Sequence, residues 1–309
     1  MTRTVIAVMI AVVSVVYAPG CAGATVVYWT PAPELAPDLP SGFIAWGDLD
    51  GDGDDDVSSF AFEKQFWNTG CPGQPTWVWE EFVYPDPGIG DCSRQSGTLG
   101  DVDADGDLDL IYACWQCCSF RMVWNVGTPQ EPALEYGGAI AGDPDSRSNA
   151  RAWLADIDAD GDLDLLSNHA DRRIELHENT GTPSSPLWVR RGYVLGVLLN
   201  DSHGQLGFGD LDGDGDLDLI AGVPTVLPGV QCWENVGTPQ ACVYVENPAM
   251  LTGVNTAITR INGIALPDVD CDGDPDLLIG ARPSVYLYIN ERITAVQPAS
   301  WGTIKAIYR

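Results

Sequence analysis

The chain has 309 residues, with 44 Asp and Glu against 15 Lys and Arg and a formal net charge of −29, a balance that argues against nucleic acid or anionic membrane as a partner. Its 45% hydrophobic and 19% charged residues exclude a disordered acidic tail and provide for a buried core. The 34 Gly and 22 Pro disfavour long helices and suit short strands joined by turns.

Residues 1–24 read as a signal peptide. Arg3 precedes an apolar run from Val5 to Val16, too short to span a bilayer, and Ala22-Gly23-Ala24 supplies a small-x-small cleavage site. Cleavage after Ala24 is expected, giving a secreted, extracellular or cell-surface protein. Lipoprotein anchoring at Cys21 is the alternative, and Pro19 fits a lipidation box poorly. Eight cysteines then remain, Cys71, Cys92, Cys114, Cys117, Cys118, Cys232, Cys242 and Cys271, which in an oxidising compartment predict up to four disulfides of open connectivity. Cys232 and Cys242 flank a hairpin turn at near-symmetric distances and are the first pair to expect. Cys114-Trp-Gln-Cys117 has thiol-redox spacing, but without a thioredoxin-like strand and helix pattern around it a structural bridge is the reading.

Beyond the leader one nine-residue pattern, D-x-D-x-D-G-x-x-D, occurs five times, at spacings of 53, 55, 54 and 58 residues. The copies hold Asp48, Asp50, Asp52, Asp54 and Asp56; Asp101, Asp103, Asp105, Asp107 and Asp109; Asp156, Asp158, Asp160, Asp162 and Asp164; Asp210, Asp212, Asp214, Asp216 and Asp218; and Asp268, Asp270, Asp272, Asp274 and Asp276. A second landmark follows each in register: Trp67-Asn68-Thr69-Gly70, Trp124-Asn125-Val126-Gly127, Glu178-Asn179-Thr180-Gly181, Glu234-Asn235-Val236-Gly237 and a degenerate Ile289-Asn290-Glu291.

Within the third unit, Ala152-Trp153-Leu154-Ala155 enters the Asp loop and Leu163-Asp164-Leu165-Leu166 leaves it. Arg173 to His177 alternates up to the Asn-Thr-Gly turn, and Leu187-Trp188-Val189 follows. Four short strands per unit make the blade of a β-propeller, because radial stacking covers the face that a lone small sheet leaves open. The expected fold is all-β, one propeller domain over 25–309 with five four-stranded blades. The units run over about 41–93, 94–148, 149–202, 203–259 and 260–309, with 25–40 closing the ring. Val27-Tyr28-Trp29 matches the fourth-strand pieces of the other units and is favoured to complete the fifth blade. The tail Trp301 to Tyr308 competes for that place, and otherwise residues 298–309 form an edge strand or a sorting element.

The loop spacing meets a coordination requirement. Calcium takes about six to eight oxygens, and carboxylates at positions 1, 3, 5 and 9 with a backbone carbonyl at 7 surround it if the chain turns sharply at 6. Position 6 is Gly53, Gly106, Gly161, Gly215 or Gly273. An EF-hand would need an acid at position 12, where this chain has Ser59, Tyr112, Ser167, Ala221 and Ile279. The loops hold 26 Asp counting Asp55, and removing them from −29 leaves −3 for the rest. About five Ca2+, one per repeat, are therefore expected. At a dissociation constant of ~0.1 mM and ~1 mM free calcium, five independent sites would add ~7 kcal/mol, comparable with the whole stability of a domain.

These repeats resemble the FG-GAP and VCBS class seen in integrin α-chain propellers and many secreted bacterial proteins. Phe208-Gly209-Asp210 and Ala221-Gly222-Val223-Pro224 approximate the FG and GAP elements around the fourth metal loop, and Gly280-Ala281-Arg282-Pro283 repeats the latter. The resemblance implies that the calcium hairpins join the first two strands of each blade on one face. It also implies that loops between strands two and three, and between blades, form the partner-binding face.

The function to expect is a secreted, non-catalytic binding or adhesion module for an extracellular protein or glycan, with no membrane span. Contact loops would be Trp115 to Arg121, His169 to Arg173 and Arg282 to Ser284, with Trp115, Phe120, His169 and Arg172 as anchors. The alternatives are a polysaccharide lyase or hydrolase on the same scaffold, with Glu80, Glu81, Asp143, Asp145 and Glu175 as acid and base candidates, or a multivalent lectin.

Overall fold

Each period folds into short strands because the segments beside an Asp loop are rich in β-branched and aromatic residues and the loop reverses the chain. In chain order the strands are β1 (Trp29–Pro31), β2 (Ile44–Gly47), β3 (Asp56–Ser59), β4 (Lys64–Asn68), β5 (Trp77–Glu81), β6 (Arg94–Gly100), β7 (Asp109–Cys114), β8 (Ser119–Asn125), β9 (Leu134–Gly142) and β10 (Arg151–Ala155). There follow β11 (Asp164–Asn168), β12 (Ile174–Asn179), β13 (Trp188–Gly192), β14 (Gln205–Gly209), β15 (Asp218–Gly222), β16 (Val230–Asn235), β17 (Tyr244–Glu246), β18 (Ile261–Ala265), β19 (Leu277–Ala281) and β20 (Ser284–Asn290). The structure is a computed structural model that describes residues 27–32, 44–59, 64–70, 76–81, 94–114, 119–128, 133–142, 151–168, 172–182, 184–193, 195–199, 204–270, 272–282 and 284–291.

Four antiparallel sheets take their strands in sequence order, β2 to β5, β6 to β9, β10 to β13 and β14 to β17, and the fifth has the order β1-β20-β19-β18. The first strands meet around an axis: β2 lies against β6, β6 against β10, β10 against β14, β14 against β18, and β18 against β2. The molecule is an all-β propeller of five blades.

The N-terminal strand completes the fifth blade. Trp29 pairs with Asn290 and Pro31 with Tyr288, while Glu291 N donates to Tyr28 O at 2.7 Å and Ala32 N to Leu287 O at 2.9 Å. Trp29 is fully buried, and its indole Nε1 donates to Met250 O at 2.6 Å. Gly253, at φ +101°, passes so close to the Trp29 carbonyl that no side chain fits there.

The core lies between blades rather than inside them. Leu211, Ile220, Val230, Ile264 and Ile279 join blades four and five, and Leu166, Leu176, Leu206 and Leu219 join three and four. Val57 and Phe66 meet Leu278 and Leu287 across the closing joint. At roughly 1.5–3 kcal/mol for each large side chain fully buried, these joints carry most of the hydrophobic stabilisation.

Three expectations are corrected. Cys232 and Cys242 are free thiols: Cys232 is buried toward blade five, its sulfur 4.0 Å from Met250 Sδ, whereas Cys242 Sγ donates to Ile157 O of blade three at 2.9 Å. The two thiols serve opposite joints of one sheet and do not meet. Phe120 is 2% exposed in the joint of blades two and three, edge-on to His177, so it is core rather than a ligand anchor. Glu175 is fully buried, paired with Arg190 and 3.7 Å from His177. Residues 1–24 with Cys21, the tail 298–309, Trp115, His169, Asp143, Asp145, Cys71, Cys92, Cys117, Cys118 and Cys271 lie outside the described residues, as does the Cys114 side chain.

Candidate metal centres

Each Asp loop joins the first and second strand of its blade, so all five stand at the same end of the barrel of strands. The third shows the common geometry. Asp160 N and Gly161 N donate to the two oxygens of Asp156, both at 3.1 Å, and Asp162 N donates to Asp160 Oδ1 at 3.0 Å. Gly161 has φ +97°, and Gly53, Gly106, Gly215 and Gly273 lie within a few degrees of it, which is the left-handed turn expected of position 6. Position 4 is left-handed as well, at Gly51, Ala104, Ala159 and Gly213. Sequence reasoning overlooked it because alanine alternates there with glycine.

The carboxylates converge. Asp48, Asp50 and Asp56 place one oxygen each within 4.8 Å of one another, as do Asp101, Asp103 and Asp109; Asp156, Asp158 and Asp160; Asp210, Asp212 and Asp218; and Asp268, Asp270 and Asp276. Positions 5 and 7 stand outside these trios, except Asp160. Each trio can hold a metal ion, and the donor set suits a hard cation because every donor is a carboxylate oxygen. One further observation fits. Oδ1 of Asp158, Asp270 and Asp216 is buried without a hydrogen-bond partner, an arrangement that is costly for an anionic oxygen unless a cation faces it.

The ninth Asp does two jobs. Asp56, Asp109, Asp164, Asp218 and Asp276 are at most 1% exposed. In each, one oxygen accepts from the backbone N–H at position 2 of its own loop and the other from the N–H of the landmark Asn. Burial pushes all five carboxyls up to about 7, against the pull of those two N–H groups. A cation beside such a carboxyl would favour its charged form and offset the cost of burial.

The loops also form the joints between blades. Position 2 (Val102, Ile157, Leu211, Val269) is buried against the following blade. Position 8 reaches the preceding one: a methyl built on Gly47 would come within 2.5 Å of Leu108 Cδ1, and on Gly100 within 2.6 Å of Leu163 Cδ1. At the closing joint position 8 is Asp55, whose Oδ2 accepts from Asp268 N at 3.0 Å. Burial, with repulsion from Asp268 and Asp48, pushes its carboxyl up to about 6.

Of the expected contact residues, Arg172 is exposed at φ +68° and Arg282 is exposed. Glu80 and Glu81 are exposed on the outer strand β5, separate from Glu175.

A family model described as an FG-GAP-like repeat matches residues 156–221, from the first Asp of the third loop to the second strand of the fourth blade. No curated protein matches the chain. Among solved structures it is similar to an Agrocybe aegerita lectin studied for recognition of non-reducing terminal N-acetylglucosamine, at 15% identity and TM-score 0.44, over 87% of this chain and 64% of that one. The Photorhabdus luminescens Tc holotoxin pore matches at 17% identity and TM-score 0.40, over 82% and 11%. BBS1N in complex with ARL6DN matches at 8% and 0.37, over 89% and 98%. The chain thus spans less than two thirds of the lectin and about a tenth of the toxin chain. The repeat match over 156–221 and the five Asp-looped blades fit an FG-GAP-like propeller.

Proposed function

We propose that the protein is a secreted, non-catalytic propeller, stabilised by about five calcium ions, that binds an extracellular protein or glycan. The observation that carries this is the placement of the repeated chemistry: the same carboxylate loop stands at every blade joint, so it serves the ring rather than one reaction centre. Calcium suits the loops because three converging carboxylates, within a nine-residue turn that carries further Asp side chains and backbone carbonyls, offer the hard oxygens it prefers. When bound it supplies two positive charges per loop, offsetting the burial, and the lesser repulsion, that raise the carboxyl pKa values. The sequences that connect second to third strands differ from blade to blade, and the fully described one, Val223 to Gly229, lies at the end opposite the Asp loops. That is where a scaffold places recognition.

The test is a binding screen of the calcium-loaded protein on glycan and peptide arrays beside an activity screen on polysaccharides. Saturable binding without turnover supports the reading. Turnover of a polysaccharide would replace it with the enzyme alternative.

A further inference from the structure

The segments 221–231, 252–265 and 279–290 hold no acidic residue. They belong to blades four and five, and their loops meet at the end remote from the Asp loops. Arg260 N donates to Pro224 O at 2.9 Å, Gly229 N to Thr256 O at 2.7 Å, and Arg282 N to Arg260 O at 3.4 Å. Main-chain hydrogen bonds therefore lock three loops from two blades into one ridge, and Arg260 is pinned at φ +61° between its neighbours.

Two exposed guanidinium groups and an aliphatic knob stand on this ridge. Arg260 and Arg282 are exposed, and neither forms an ion pair among the described residues. With its amide oriented to donate to Gly280 O at 2.8 Å, Asn262 accepts from Arg282 Nε at 3.3 Å, which holds that guanidinium by one edge. Arg190 and Arg191, by contrast, are engaged by Glu175 and Glu178. On the loop that Arg260 N bonds at Pro224, Leu227 is 64% exposed and Val226 36%.

An unpaired guanidinium takes a carboxylate in two parallel hydrogen bonds, and an aliphatic neighbour that is covered at the same time removes water from that contact. The knob is aliphatic, so it suits an apolar side chain better than the face of a sugar ring, which aromatic side chains serve. The negative Asp loops are a strand's length away, ~17 Å, about two Debye lengths at physiological salt.

We infer that this ridge is a docking surface for a partner protein, and that it takes a segment carrying an Asp or Glu carboxylate beside an aliphatic side chain. The inference rests on the binding-module reading and names the partner class. The test uses the full calcium-loaded chain on three arrays: peptides with Asp or Glu next to Leu, Ile or Val, the same peptides with Asn or Gln, and uronate- or sulfate-bearing glycans. Binding confined to the acidic peptides is expected. It should weaken about tenfold or more in Arg260→Gln/Arg282→Gln and several-fold in Leu227→Ser, with no change in Arg191→Gln and with unchanged melting temperatures. Equal binding of the amide peptides, or undiminished binding by the double variant, overturns the inference. Glycan-only binding that the double variant loses overturns the partner class and leaves the binding module standing. Silence on all three arrays contradicts both.

Discussion

Asp164 Oδ1 accepts the backbone N–H of Asn179 at 2.7 Å, tying the Asp loop to the hairpin turn between the third and fourth strands of the same blade. Asn179 Oδ1 in turn accepts from Gly181 N at 3.2 Å and Leu187 N at 2.9 Å. The two sequence landmarks are thus one relay, repeated through Asn68, Asn125 and Asn235. The relay is truncated at Asn290, where the fourth strand comes from the N-terminus, and Asn290 Nδ2 donates instead to Leu211 O at 3.1 Å.

Asn179→Ala removes the acceptor of two turn N–H groups at a site 1% exposed. A loss of about 1–3 kcal/mol is expected in urea unfolding. Asn179→Asp, which keeps the oxygen, should lose less; equal losses would contradict the relay.

Acidity separates the metal-free and metal-bound states. The ninth Asp of each loop rises from 3.8 to about 7 in the fold. A raised folded value contributes stability that is complete below the unfolded pKa and lost as pH climbs through about 7. Chelated protein should therefore melt higher at pH 5 than at pH 8. Calcium-loaded protein should show the opposite trend, since protons compete for the same oxygens. A chelated melting temperature that falls on acidification would contradict the burial of these carboxylates.

Ring closure by β1 is tested by Trp29→Ala. Deleting a fully buried indole with a hydrogen bond to Met250 O should cost about 3–5 kcal/mol. Truncation of residues 298–309 should leave the melting temperature unchanged, and the reverse pattern would assign closure to the tail.

Ala104 and Ala159 sit at φ +55° and +54°, where a Cβ is strained. Replacing each with Gly, the residue at Gly51 and Gly213, should stabilise by up to about 1 kcal/mol, net of the unfolded-state entropy that glycine adds. Destabilisation by both would show that the alanine methyls are held by packing.

The ring was legible because its cause is periodic: five Asp loops at a fixed spacing, each followed by an Asn turn, define a blade without any long-range information. Val27-Tyr28-Trp29 could be matched to fourth strands by local pattern alone, and Trp29 does pair with Asn290. What the sequence hid depends on which face of a sheet a residue joins. Cys232 and Cys242 look paired along the chain, yet they point into different joints. Phe120 and Glu175 look like surface groups until blades two and three close over them. The ridge of Arg260, Arg282 and Leu227 draws on three loops distant in sequence, so no local motif marks it.

The central claim is that cations in the loops hold the blade joints together, and it is tested most directly by titrating chelated protein with calcium while following its melting temperature. The account predicts uptake of about five ions per chain with a rise in melting temperature that saturates at that stoichiometry. Metal removal confirmed by elemental analysis with no change in melting temperature would contradict it.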